Sequence, residues 1–422
     1  MTTHPIATSS RQLDAEDPLA EYGDRFIRSP DVVAYLDGNS LGRPLKASRR
    51  RVSDFIENQW GSRLIRGWDE SWLDLPLRIG DDLGRVVLGA APGQITIGDS
   101  TTVLLYKLVR AAVDARPGRR ELVIDRANFP TDRYVLEGIA AERGLVVRWI
   151  DSPAAASDSP GSQAGNNAGD DEGAVGVRPA DVAAVVGPET AVVVLSHVDY
   201  RSGFLADVAA ITAIAHDAGA LMLWDLCHST GVVPTALDDW GVDLAVGCTY
   251  KYLNGGPGSP AFAYVRAGLQ TQLHQPIQGW IGSKNPFEMG QGYAEAGGIR
   301  QFLSGTPPIV GMLALQDMVA LLDDVGITAV RAKSVALTAF AIATADALLP
   351  DARLATPRDP DRRGSHITLE DTRFAALVST LWQRGVLPDF RKPNGLRLGM
   401  SPLSTRFAEV ETGIRAIREL VS

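Results

Sequence analysis

A series of short apolar runs, several of them separated by helix-length stretches, constrains this chain more than any other feature. Glu121 to Asp125, Val146 to Ile150, Ala191 to Ser196, Ala220 to Trp224 and Leu244 to Gly247 each read as a strand. Thr131 to Gly144 and Asp207 to Ala218, lying between them, read as helices. Strands that are apolar throughout, rather than alternating, are covered on both faces, the condition of a mainly parallel sheet flanked by helices. The expected fold class is α/β with such a central sheet, and ligands in these sheets sit beyond the carboxyl ends of the strands.

The rest of the chain is organised around that unit. Residues 1–30 read as a polar arm with one short helix, 31–307 as a large α/β domain and 308–422 as a smaller C-terminal α+β domain. Val32 to Leu36 and Gly93 to Ile97 read as strands, and Pro44 to Trp60, Ser71 to Leu88, Pro308 to Val325 and Thr328 to Leu349 as helices. Residues 152–179 are rich in Ala, Ser, Gly, Asn and Asp with almost nothing large and apolar, and read as a flexible surface insertion.

Bulk properties exclude several classes. With 45% hydrophobic and 22% charged residues, 422 residues suffice for a globular core and more than one domain. A formal charge of −9 and the lack of a basic stretch interleaved with aromatics argue against a nucleic-acid partner. The start, Met1 to Asp17, has no apolar run of the signal-peptide kind, and no stretch reaches the roughly eighteen apolar residues of a membrane-spanning helix. A soluble cytoplasmic protein without a membrane partner is expected. Two cysteines, Cys227 and Cys248, cannot build a disulfide framework and read as free thiols in a reducing compartment. No metal site is read from the sequence.

The chemistry is concentrated at the strand ends. Asp225 follows the run ending in Trp224, and Lys251 follows Leu244 to Tyr250, with Gly255, Gly256 and Gly258 just after it. A lysine that holds pyridoxal 5'-phosphate covalently, and a carboxylate that keeps its pyridine nitrogen protonated, are the pair this cofactor needs. Tyr250, beside the lysine, suits a phosphate contact or a proton relay, and His228 would lie close by or serve as a satisfied core group. Ser100, Thr101 and Thr102 open a helix, where hydroxyls and free amides form an anion site, though an ordinary cap reads the same way. Phe129 is placed either to stack on a flat ring or to pack in the core, and Asp132 either to bond the cofactor or to favour a helix start. Asp199 stands in a polar segment after a strand, with Arg201 open to a carboxylate or a local salt bridge. Arg397, in a short apolar strand, calls for a carboxylate, either from an amino-acid substrate or from within the chain.

The order and spacing of these segments resemble the kynureninase family, within the fold type I pyridoxal-phosphate enzymes of the aspartate aminotransferase superfamily and related to class V aminotransferases. The blocks that carry the likeness are Tyr35 to Gly42, Phe129 to Asp132, Asp225 to Ser229, Tyr250 to Asn254, Phe302 to Pro307 and Gly395 to Gly399. The resemblance implies a hydrolase of carbon–carbon bonds in ketonic substrates that splits L-kynurenine into anthranilate and L-alanine, and 3-hydroxykynurenine into 3-hydroxyanthranilate. Its setting would be tryptophan catabolism (the kynurenine pathway) or NAD biosynthesis. The resemblance implies Lys251, Tyr250 and Asp225 as catalytic residues. Thr101, Thr102, Phe129, Asp132, Asp199, His228, Trp280 and Thr306 would complete the cofactor shell. Arg397, Asn39 and Trp280 would meet the substrate, and a homodimer with shared active sites is implied. The sequence departs from the family at Ile281 and Ser283, where a phenylalanine and a histidine are common in the aryl-binding region. Another fold type I lyase or hydrolase, acting on a related aryl or sulfur-containing amino acid, is the competing reading.

Overall fold

The computed structural model describes residues 9–152 and 176–421. Seven strands form the large sheet: β2 (Ile95–Gly98), β3 (Glu121–Asp125), β4 (Val146–Ile150), β5 (Thr190–Ser196), β6 (Leu221–Asp225), β7 (Leu244–Gly247) and β8 (Ala261–Val265). Their order is β2-β8-β7-β6-β5-β3-β4. All neighbours from β7 through β4 run parallel, and β8 runs antiparallel to both β2 and β7. Every residue of β2, β6, β7 and β8 is buried, as expected of strands with helices on both faces. The mainly parallel α/β sheet that the apolar runs predict is present. The strand Ala261–Val265 is an addition to that pattern, because its flanks lack a helical spacer.

Register aligns the strand ends that matter. Ser196 lies opposite Asp225, and Asp225 opposite Val246, so the residues that follow β5, β6 and β7 emerge along one edge. Helices α1 (Thr101–Asp114), α2 (Pro130–Arg143) and α3 (Val208–Asp217) connect or cover the strands. The start of α1 and the start of α2 both fall at the carboxyl ends of the sheet, beside the loops after β5 to β7.

The C-terminal unit has a second sheet, built from β1 (Ala34–Leu36), β9 (Arg353–Leu354), β10 (His366–Glu370), β11 (Val386–Arg391) and β12 (Gly395–Gly399) in the order β1-β11-β12-β10-β9. β1 pairs parallel to β11, so residues 34–36 belong to this sheet rather than to the large unit expected from the sequence. The N-terminal arm also packs here: Asp14 accepts the amides of Phe407 at 2.8 Å and Ala408 at 3.1 Å, and Asp17 pairs with Lys333. It contains a helix, Ser10–Ala15, and a 3-10 turn, Ala20–Arg25.

Two long helices, α4 (Ile309–Val325) and α5 (Ile327–Leu348), join the units. Contrary to the expectation from sequence, α5 is long and apolar enough by length and composition to cross a bilayer. Its residues Leu337, Phe340 and Ala341 are buried in the C-terminal core with Ile367, Leu398 and Ile414, which accounts for that apolarity. Most of the expected insertion at 152–179 lies outside the described residues.

Candidate active site

Helix α1 begins with Ser100 as its cap, whose hydroxyl accepts the Val103 amide at 3.4 Å. The amides of Thr101 and Thr102 are left in the first turn with no intrahelical partner, a standing anion site at the edge of the sheet. Asp99, just before, holds a left-handed φ of 48° that turns the chain into the helix. Its carboxylate pairs with the buried Lys107 amine, which also donates to the Phe302 carbonyl at 3.0 Å, so the turn is anchored from below. Thr101 is half-buried and Thr102 exposed.

Helix α2 opens after Phe129 with Pro130 in its first turn. Phe129 is half-buried and meets the Tyr200 ring edge-on, with centroids 5.3 Å apart. Asp132, in the first turn, is buried. Burial and the neighbouring Asp225 charge push its carboxyl well above the ordinary carboxylate range. Asn128 donates to Asp132 at 3.1 Å and accepts the Ser196 hydroxyl at 2.5 Å. A buried polar chain therefore runs from the end of β5 through Asn128 and Asp132 to Asp225 at the end of β6. Asn128 is a member that the sequence does not announce: a short amide in a turn carries no signal until the strand ends are brought together.

Asp225 is buried and accepts the Cys227 amide at 2.8 Å. Lys251 lies across the strand edge, its amine 2.9 Å from His228 Nε2. Burial, then the Lys251 charge, holds His228 well below the usual imidazole range, so the ring is neutral. The amine is also 5.9 Å from the centre of the Tyr250 ring. Burial, with Cys248 and Cys227 nearby, pushes the Tyr250 phenol up. The loop carrying Lys251 is fixed by the distant Asp37 to Gly42 segment. Gly42 donates to the Tyr250 carbonyl at 2.9 Å, and a Cβ on Gly42 would stand 2.4 Å from the Lys251 carbonyl oxygen. Asn254, at a left-handed φ of 51°, turns the chain back and donates to the Arg43 carbonyl at 2.7 Å.

Arg397, on β12, is 1% exposed and fully engaged within the chain. It donates to the Tyr200 carbonyl at 2.6 Å and the Ser40 hydroxyl at 2.8 Å, and pairs with Asp389 at 2.6 Å. With the Asn39 amide turned to satisfy both neighbours, its oxygen accepts from Arg397 Nε at 2.8 Å and its nitrogen donates to Asp37 at 3.3 Å. Burial raises Asp37 from 3.8 to about 6. Of the two accounts of Arg397 raised by the sequence, the structure shows the internal carboxylate, Asp389, with Tyr200 beside it.

The remaining residues lie apart. Asp199 Oδ1 accepts the amides of Arg201 at 3.0 Å and Ser202 at 2.6 Å, so that oxygen shapes its own loop. Trp280 is half-buried against Phe287, with ring centres 5.8 Å apart. Ile281 is fully buried, Ser283 donates to the Trp280 carbonyl at 2.7 Å, and Thr306 is exposed. Among the described residues, none of these four hydrogen-bonds the Asp225–Lys251 group.

The residues present accommodate pyridoxal phosphate. Thr101 and Thr102 offer free helix amides to a phosphate. Asp132 and Asp225 form a buried carboxyl pair with the Lys251 charge nearby, and a protonated pyridine would add a cation beside them. Lys251 is partnered by a neutral imidazole rather than a carboxylate, and His228 Nδ1 is buried without a partner.

Comparison with known proteins gives the chain's lineage and fold. The family "Kynureninase C-terminal domain" matches residues 330–417. The chain is 37% identical over 418 residues to the kynureninase of Pseudomonas fluorescens, covering 97% of this chain and 94% of that one. It is 40% identical, with the same coverage, to the kynureninase of Burkholderia pseudomallei (strain K96243). Among solved structures, an apo cysteine desulfurase from Thermococcus onnurineus NA1 superposes with a TM-score of 0.76 at 17% identity, covering 100% of this chain and 99% of that one. The cystine C–S lyase C-DES, in complex with its reaction product cysteine persulfide, gives a TM-score of 0.73 at 17% identity, with 92% and 97% covered. These two establish the fold, and the two relatives establish the lineage. The chain belongs to the kynureninase family.

Proposed function

We propose that this protein binds pyridoxal phosphate and hydrolyses the Cβ–Cγ bond of L-kynurenine, giving anthranilate and L-alanine, with 3-hydroxykynurenine as the alternative substrate. The observation that carries the reading is the Lys251 amine resting on neutral His228, at the same strand edge as the buried Asp132–Asp225 pair. The bound cofactor supplies an electron-withdrawing ring conjugated with the substrate nitrogen.

The protein's own residues do the rest. Lys251 holds the cofactor covalently and, once displaced by substrate, moves the proton at the substrate α-carbon. His228 accepts from or donates to the Lys251 amine and keeps it aimed. Asp225, backed by Asp132 and Asn128, pairs with the pyridine nitrogen, and Phe129 stacks on the ring. Thr101 and Thr102 hold the phosphate. Tyr250, whose phenol burial keeps protonated, delivers a proton to the β-carbon after the bond breaks. Arg397 receives the substrate carboxylate with Asn39 orienting its fork, and Asp389 yields its place on the guanidinium.

Trp280 and Thr306 reach a site in the assembled homodimer rather than within one chain, and Ser283 and the buried Ile281 shape the loop that carries Trp280. Exposed Ile56, Trp60, Leu64 and Ile65, and exposed Ile277, Phe287 and Met289, support a partner copy covering these segments. A cytoplasmic enzyme is part of the same proposal. Persulfide chemistry is less well supported, because neither cysteine stands on a projecting loop that could carry it to a substrate sulfur. Borohydride reduction of the purified protein followed by peptide mass analysis tests the proposal: a pyridoxyl group on Lys251 is expected, and its absence from a fully cofactor-supplemented sample overturns it.

A further inference from the structure

The chain has two cysteines, and the fold places them together. Strands β6 and β7 pair in parallel as Leu223 with Leu244, Trp224 with Ala245 and Asp225 with Val246. The ladder continues past the strands, with the Leu226 amide donating to the Val246 carbonyl at 2.8 Å. At the same sequence offset, Cys227 falls opposite Cys248. The Cys248 amide donates to Cys227 Sγ at 3.2 Å, and the Cys248 thiol points back to the Cys227 carbonyl at 3.8 Å. Both residues lie just past the strand ends, and a disulfide between them needs Cα atoms roughly 4.4–6.8 Å apart. Both thiols are buried, and Cys227 Sγ also lies 3.9 Å from Thr101 Oγ1, which opens helix α1.

We propose that Cys227 and Cys248 are a redox-active dithiol that a hydroperoxide converts into an intrachain disulfide, reversibly altering the site between them. Nothing in the hydrolytic reaction uses either sulfur. The hydrogen bond to Cys248, then burial, holds the Cys227 thiol well above the ordinary range. Burial also raises Cys248, but the hydrogen bond with Cys227 and the Lys251 charge outweigh it and leave this thiol below the usual value. In the proposed step Cys248, the cysteine nearer Lys251 along the chain, attacks first. Its thiolate attacks one peroxide oxygen, the O–O bond breaks, and a sulfenic acid and hydroxide form. Cys227 then attacks that sulfur; the S–S bond forms, the S–O bond breaks, and the departing hydroxide takes the Cys227 proton as water. Two electrons pass from the sulfur pair to the peroxide, and an added dithiol reverses the change.

The bond would tie the residue two places after Asp225 to the residue three places before Lys251, so both strand ends must adjust to it. The experiment is hydrogen peroxide titration of the purified holoenzyme, followed by alkylation, non-reducing digestion and peptide mass analysis, with the visible spectrum recorded in parallel. The expected result is one Cys227–Cys248 linked peptide lacking two hydrogens, a changed cofactor band, and restoration of both by dithiothreitol. The Cys248→Ser protein should give no linked peptide and keep its band at the same peroxide dose. The spectral arm rests on the proposed lysine-bound cofactor and the mass arm does not, so the two failures are distinguishable. Thiols that stay alkylatable, irreversible sulfinic acid without a link, or a linked chain whose band is unchanged would each overturn the switch.

Discussion

The Lys251 amine and Nε2 of His228 are 2.9 Å apart, and His228 is neutral because burial and the lysine charge both oppose its protonation. The imidazole is therefore free to act as acceptor for an ammonium or donor to an amine, without the fixed charge of a carboxylate. Replacing it with leucine removes that partner while keeping an apolar fill. Cofactor affinity of His228→Leu should fall about tenfold, since losing one hydrogen bond from the imidazole to the charged lysine–cofactor group costs roughly 1.5–3 kcal/mol. Fluorescence titration of the cofactor-stripped protein measures this directly, and an unchanged affinity would remove His228 from the site.

Arg397 is held by Tyr200, Ser40 and Asp389, all within the chain. Arg397→Ala should raise KM for an amino-acid substrate by the equivalent of about 2–4 kcal/mol while leaving the cofactor band in place. Loss of the band together with KM would mean that the residue holds the fold rather than the substrate.

Ser283 donates its hydroxyl to the Trp280 carbonyl, and Ile281 is fully buried. An added ring at 281 would overpack at a cost of about 1–3 kcal/mol, so Ser283→His is the cleaner substitution. It should change the ratio of kcat/KM for kynurenine against 3-hydroxykynurenine. Identical ratios in the two proteins would show that the departure from the family at this position is irrelevant to substrate choice.

His197, at the end of β5, lies edge-on to Trp224 and Trp240, and burial lowers it to about 3 from 6.5. A depressed folded value means that its contribution to stability is present above pH 6.5 and is lost as pH falls towards 3. By pH 5 this residue alone should remove ~2 kcal/mol, at 1.36 kcal/mol for each pH unit. Asp125, raised by burial to about 6, acts in the opposite sense, so the difference between wild type and His197→Gln isolates the histidine. Urea unfolding at pH 7 and pH 5 should show a smaller loss in His197→Gln; parallel losses would place the acid sensitivity elsewhere.

Asp225 and Lys251 are legible in the sequence because Asp225 closes a wholly apolar run and Lys251 follows shortly after another, Leu244 to Gly247, and a charge at that point has few structural uses other than a site. The central sheet is legible for the same reason, and Phe129 and Asp132 follow from the turn that precedes a proline-started helix. Asn128, His366 and Asp389 are not, since their significance depends on packing. His366 comes from the C-terminal sheet to lie with its ring 5.5 Å from His228, and Asp389 reaches Arg397 only across paired strands. β1 is misplaced by sequence reasoning because a three-residue strand does not carry the identity of its partner. Helix α5 is legible within a residue at each end, as Thr328 to Leu349, and only its membrane-length apolarity is not, because scattered threonine, serine and basic residues interrupt its apolar runs.

The most direct test of the central claim is product release from L-kynurenine by the purified protein supplied with pyridoxal phosphate, following anthranilate and alanine together. The account predicts equimolar anthranilate and alanine, a corresponding but different rate of 3-hydroxyanthranilate from 3-hydroxykynurenine, and no turnover by Lys251→Ala. A protein that carries the cofactor on Lys251 yet releases neither aryl product from either substrate would contradict it.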